Sequence, residues 1–225
     1  MSDVPSLSKL GPPELEQLIK ENIPRDALMA LDDAYKSGDE KCITHATLFV
    51  QSHRSSGAGQ NRHFFLNETF HEALTVHGAK PSPLSGTKLV TGKLGIFNIA
   101  RLNVPGHKWV NLKGSKTRKQ LAQLNTAIER TYVQGDLFDV DRPVSVGTIF
   151  VLGVMDGWNA DAKIAALTQV MIALPAPDMK SWLYIKPLTE FLKLYDLPEN
   201  NNQYDGAVPT LKAQPKKQTG NDQGN

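Results

Sequence analysis

Residues 144–155 read Val144-Ser145-Val146-Gly147-Thr148-Ile149-Phe150-Val151-Leu152-Gly153-Val154-Met155. The run is uncharged, apolar and rich in β-branched side chains, the pattern of a strand covered on both faces. Asp156-Gly157-Trp158-Asn159 supplies turn residues directly after it. Ile164, Ala166, Thr168, Val170, Ile172 and Leu174 then alternate at the two-residue period of a strand. The alanines in that segment fit a helix as well. A short strand at Trp182–Ile185 precedes a helix opening at Pro187, with Leu188, Phe191, Leu192 and Tyr195 turned inward.

Upstream of this sheet signal the period changes. Thr87–Thr91 and Ile96–Asn103 read as strands joined by a turn at Thr91-Gly92-Lys93-Leu94-Gly95. Behind the capping-box spacing of Thr117 and Gln120 lies a helical stripe of Leu121, Leu124, Ile128 and Tyr132. The N-terminal third is helical. Gly11-Pro12-Pro13-Glu14 opens a helix with Leu15, Leu18 and Ile19 on its apolar face. A second follows Pro24, with Leu28, Leu31 and Tyr35 aligned and Gly38 as its stop. Glu40–Ser52 fits helix better than strand. His53–Asn61, rich in Ser, Gly and Gln, reads as a loop, and Leu66, Phe70, Leu74 and His77 mark a further helix ended by Gly78.

The expectation is an α+β fold: N-terminal helices, then a mostly antiparallel sheet with packed helices. Residues 1–10 are expected to be a flexible N-terminus, 11–197 a single domain and 198–225 a disordered tail too poor in apolar residues to fold. The chain has 225 residues, enough to bury a sizeable core. Its single cysteine, Cys42, excludes an internal disulfide and a multi-cysteine zinc site, and reads as a small buried hydrophobe. No signal-peptide pattern and no run of about 20 apolar residues is present, so a soluble, cytoplasmic protein is expected.

The formal net charge of +2 conceals a strong segregation. Between Lys41 and Ile128 there are twelve Lys or Arg against two acids, Glu68 and Glu72, a formal +10; the remainder of the chain carries −8. All six histidines fall in the basic stretch. Such asymmetry points to a polyanionic partner, although attraction between the two parts within one fold would also explain it. The sharpest cluster is Lys113-Gly114-Ser115-Lys116-Thr117-Arg118-Lys119, at the start of an expected helix. Cations oppose the helix dipole there unless an anion binds, when amides, the Ser115 and Thr117 hydroxyls and the cations would converge on it. Lys108, beside Trp109, extends the cluster, with Trp109 as a stacking face and Asn111 as a base-edge donor. Arg54 and Arg62 flank the Gly/Ser segment as a second set of phosphate contacts. The plain alternatives are cations that point apart, a half-buried tryptophan and an ordinary connector.

Catalytic motifs are weak. Gly114-Ser115-Lys116-Thr117 lacks the contiguous Gly-Lys-Ser/Thr and the upstream glycine of a phosphate-binding loop. Gly57-Ala58-Gly59 has Arg62 where a dinucleotide fingerprint needs glycine. His71-Glu72 meets Thr75 where a zinc-protease helix needs histidine. Glu68 and Glu72 share a helical face and could hold Mg²⁺ beside a phosphodiester, or simply lie in solvent. The foremost expectation is therefore a non-enzymatic nucleic-acid-binding protein, for DNA or RNA, without a cofactor. A metal-dependent nuclease using the paired glutamates and a protein-interaction module with complementary charged parts are the alternatives.

Overall fold

The computed structural model describes residues 13–105, 115–134 and 145–196. Three helices come first: α1 (Pro13–Asn22), α2 (Arg25–Ala46) and α3 (Gln51–Val76). Strands β1 (Thr91–Leu94) and β2 (Phe97–Val104) follow, then α4 (Lys116–Gln123) and α5 (Thr126–Ile128), which runs into a π-helical turn at Glu129–Gln134. Next come β3 (Gly147–Val154), β4 (Gly157–Asn159), β5 (Ile164–Ala166), β6 (Gln169–Pro175), β7 (Trp182–Pro187) and α6 (Leu188–Leu192). The main sheet has the order β1-β2-β3-β6-β7, and β4 pairs with β5 alone. Only the β2/β3 pair is parallel among the described strands, so the α+β, mostly antiparallel expectation holds.

The 144–155 segment forms the sheet's central strand. Every residue of β3 is buried, as its lack of alternation requires. Its two faces feed two cores. Ile149 and Val151 pack with Phe97 and Ile99 of β2 under α1–α3. Phe150 and Leu152 pack with Ala100, Leu102 and Ala122 of α4 on the other side. Asn125, fully buried between α4 and α5, stitches this side together. It accepts from Thr148 N and donates to the carbonyls of Thr148 and Pro175. On the helical side Tyr35 places its hydroxyl between the carbonyls of Val151 (2.7 Å) and Leu102 (3.0 Å), and its ring occupies the space a side chain at Gly153 would fill. At the far edge, Glu16 of α1 accepts from Tyr184 (3.0 Å) and Lys186 (2.6 Å) of β7.

Five expectations change. Gly38 does not stop α2; the helix continues to Ala46, and the glycine instead lets α3 approach. A Cβ at Gly38 would lie 2.7 Å from Leu66 Cδ2 and 3.2 Å from Leu66 Cα, while Thr69 donates across the same contact to the Ala34 carbonyl. The expected loop at His53–Asn61 is part of α3. Its small residues allow close packing, with Gly57 against the Phe49 ring and Ala58 against Cys42, whose thiol donates to the Ala58 carbonyl. Tertiary burial here overrides weak helix propensity.

The hairpin is displaced toward the C-terminus, so that 91–94 is strand and Gly95, at φ +53°, makes the turn. Ser82 explains where β1 starts, because its backbone and hydroxyl occupy the Thr91 carbonyl and N–H. The single strand expected over 164–174 is split into β5 and β6, since the Asp39 carboxylate takes the N–H of Leu167 at 2.9 Å. Asn159 and its neighbours, expected as a turn, pair with β5 as β4. The segments 1–10 and 198–225 lie outside the described residues.

Two glycine substitutions separate packing from propensity. Gly59 faces open space, so Gly59→Ala should stabilise the fold by roughly 0.5–1 kcal/mol. Gly38→Ala carries the same propensity gain but meets Leu66, and should lower stability by about 1 kcal/mol or more. Urea denaturation of both variants checks the opposite signs.

Candidate functional site

The two arginines flanking the Gly/Ser segment are committed to the fold. Arg62 is buried, and its Nε donates to Asp39 Oδ1 at 2.7 Å while Nη2 donates to the Ala165 carbonyl. The pair fastens α2, α3 and β5. Arg54 donates to the carbonyls of Phe49, Asp161 and Thr47, closing the α2–α3 turn onto the β4–β5 hairpin. Neither guanidinium is arranged to present its full donor set to a ligand.

The cluster at the start of α4 is placed differently. Ser115, rather than Thr117, is the N-cap, and its hydroxyl accepts from Arg118 N at 3.5 Å. Lys116, Thr117 and Lys119 are exposed, while Arg118 is half-buried. Burial works against the Arg118 charge, and no acid among the described residues offsets it. An arginine stays protonated regardless, so its side chain holds an uncompensated positive charge. Lys108, Trp109, Asn111 and Lys113 lie outside the described residues.

Arg118, Ser115 and Thr117 form one wall of a cleft of about 580 Å³. The opposite wall comes from Thr87, Lys88 and Leu89, and the floor from His63 and Arg101-Leu102-Asn103. The cleft exists because β1 stops pairing early. Its ladder with β2 runs only from Leu94↔Phe97 to Thr91↔Ala100, so the second half of β2 has no partner on that edge among the described residues. Thus Lys88, Arg101 and Arg118, far apart in sequence, share a recess whose described lining contains no Asp or Glu.

Arg101 is the unusual member. It is 2% exposed, yet no described carboxylate lies within ion-pair distance. Neutral groups hold it instead. Nε and Nη2 donate to Asn67 Oδ1 at 3.0 and 2.7 Å, and Nη2 donates to the His63 carbonyl at 2.7 Å. Nη1 reaches Asn103 Oδ1 at 3.5 Å, the loosest of these contacts. Asn67 is fixed in turn by donating to the Lys88 carbonyl. Burial depresses the Arg101 pKa, with Tyr35 beside it acting in the opposite direction.

His63 completes the floor in its neutral form. Its Nδ1 faces Arg101 Nη2 at 3.1 Å and its Nε2 faces Asn67 Nδ2 at 3.2 Å, so both ring nitrogens look toward donors. The neutral ring can accept at whichever nitrogen its tautomer leaves unprotonated, whereas an imidazolium, with an N–H at each position, could accept at neither. Burial, followed by the Arg101 charge, accordingly holds the His63 pKa below its ordinary value.

Glu68 and Glu72 are exposed on α3, and no group of three His, Cys, Asp or Glu able to hold a metal ion occurs among the described residues. Nor is any described helix long and apolar enough to cross a membrane. Lys88, Arg101 and His63 were visible only as part of the charge count. The overlooked signal was a charge inside the apolar run Ile99-Ala100-Arg101-Leu102, where burial demands a specific arrangement of partners.

Two outcomes check this assignment of roles. Arg62→Met leaves the Asp39 carboxylate buried without its cation, and should cost about 3–5 kcal/mol in urea unfolding. For His63 the depressed pKa means the unfolded chain binds the proton first. Stability should therefore decline as pH falls below about 6.5, and the decline should be shallower in His63→Gln when unfolding is compared at about pH 5.5 and 7.5.

Compared with known proteins, the chain matches no family model, no curated protein and no solved structure.

Proposed function

We propose that the protein binds nucleic acid through the cleft and the adjoining first turn of α4. The observation that carries this reading is the meeting of Lys88, Arg101 and Arg118 in a recess with no acidic lining residue among those described. Lys116 and Lys119, exposed on the same short helix, extend the positive surface outward for a phosphate backbone to follow. The Ser115 and Thr117 hydroxyls add neutral donors of the kind that position phosphates without reading bases. Phosphate contacts dominate the affinity of such an arrangement and make it sensitive to salt.

Fluorescence anisotropy with labelled duplex DNA, single-stranded DNA and RNA over a salt series tests the proposal. Binding at about micromolar Kd or tighter is expected in low salt, weakening steeply as salt rises. The triple variant Lys116→Glu, Arg118→Glu, Lys119→Glu should lose at least about tenfold in affinity and show a shallower salt dependence. Unchanged affinity in a folded triple variant would remove this surface as the site. Absence of binding to all three nucleic acids in low salt would overturn the function.

A further inference from the structure

We infer that the cleft receives a phosphate monoester, the doubly charged group at the end of a nucleic-acid strand or on a mononucleotide. The inference deepens the nucleic-acid reading of the same site and rests on it for the strand as ligand; its charge argument comes from the cleft alone.

The cleft differs from the surface beside it. Lys116 and Lys119 are exposed, the placement that suits phosphodiesters running along a continuous backbone. Arg101 is 2% exposed at the base of the recess. A phosphate in mid-strand is flanked by sugars on both sides and is poorly shaped to reach such a base. A terminal phosphate projects with three free oxygens. Its second negative charge also matches the surroundings better, because Lys88, Arg101 and Arg118 supply three cations and the described lining supplies no acid.

The donors are graded in a way that leaves room for a ligand. Arg101 Nε and Nη2 are occupied at 2.7–3.0 Å, which fixes the guanidinium plane. Its Nη1, with one contact at 3.5 Å to Asn103, retains donor capacity beside a residue that itself lines the cleft. Arg118 enters from the other wall, half-buried and with no acidic partner among the described residues. Two guanidinium groups from separate elements thus line one cleft, and guanidinium groups form strong charge-assisted hydrogen bonds with phosphate. The volume, about 580 Å³, exceeds what a phosphate alone needs and lies in the range of small-molecule sites. Leu89 and Leu102 give the additional space an apolar side for a sugar or base.

The test uses the full chain and four probes: one oligonucleotide sequence bearing a 5′-phosphate, a 3′-phosphate or hydroxyl ends, and adenosine monophosphate as competitor. Affinities are measured by anisotropy for the wild type, Arg118→Ala, Arg118→Lys and Lys88→Ala. These positions are not in the buried core, and circular dichroism confirms that the variants are folded. At least one terminal phosphate should tighten binding by about tenfold or more over the hydroxyl-ended strand, and the monophosphate should compete. Arg118→Ala should abolish that preference while reducing affinity for hydroxyl-ended DNA much less, and Arg118→Lys should restore only part of it.

Equal binding of all three strands, with no competition by the monophosphate, would overturn the monoester site and leave the nucleic-acid reading standing. Binding of the monophosphate without any strand would do the reverse. A terminal-phosphate preference that persists undiminished in folded Arg118→Ala and Lys88→Ala would also overturn the inference, since the recognition would lie elsewhere. Absence of binding by every probe would end both readings.

Discussion

The fold turns on a buried positive charge. Arg101 sits in β2, where its sequence neighbours are apolar, and burying a guanidinium without polar partners would be prohibitive. The chain solves this with neutral oxygens from several elements: the Asn67 side chain and His63 carbonyl from α3, Asn103 from β2, with Tyr35 of α2 alongside. To satisfy Arg101, α2 and α3 must lie over β2 in one register. The same residues then form the floor of the cleft. Architecture and candidate chemistry are consequences of one interaction, in which no described carboxylate offsets the guanidinium.

The other cations of the basic stretch divide by their partners. Arg62 neutralises Asp39, and Asp39 in turn interrupts the strand at Leu167, so that ion pair shapes the β4–β5 hairpin. Arg54 spends its donors on backbone carbonyls. Lys88, Arg101 and Arg118 have no such acidic commitment among the described residues. A linear count treats all of these charges as equivalent. Only the fold distinguishes charges used internally from charges directed at a ligand.

Much of the architecture was nevertheless legible, because it rests on local patterns. The uninterrupted apolar run of β3 announced a strand covered on both faces, and Leu15, Leu18 and Ile19 marked the buried side of α1. Features that depend on distant neighbours were not legible. Gly38 and Gly57 resemble helix breakers until Leu66 and Phe49 are seen to fill the space above them. The break between β5 and β6 has no local cause, since it arises from Asp39 on α2. At the candidate site, Ser115, Thr117 and Arg118 were identifiable from their position at a helix start. Their meeting with Lys88 and Arg101 required the β1–β2 ladder to end at Thr91.

The parallel pairing of β2 with β3 gives this arrangement a kinetic character. Strand β3 cannot dock beside β2 until the whole connection from Val104 to Gly147, including α4, has been closed across the sheet. Loop closure of this kind costs entropy before it returns any contact energy, and such non-local pairing slows folding. The hairpin and the helical layer can form from nearby sequence, but Arg118 and Arg101 are held together only after this closure. A chain stalled before that step would retain most of its helices and lack the cleft. The cleft is thereby coupled to the completion of folding, and partly folded chains lack it by topology alone.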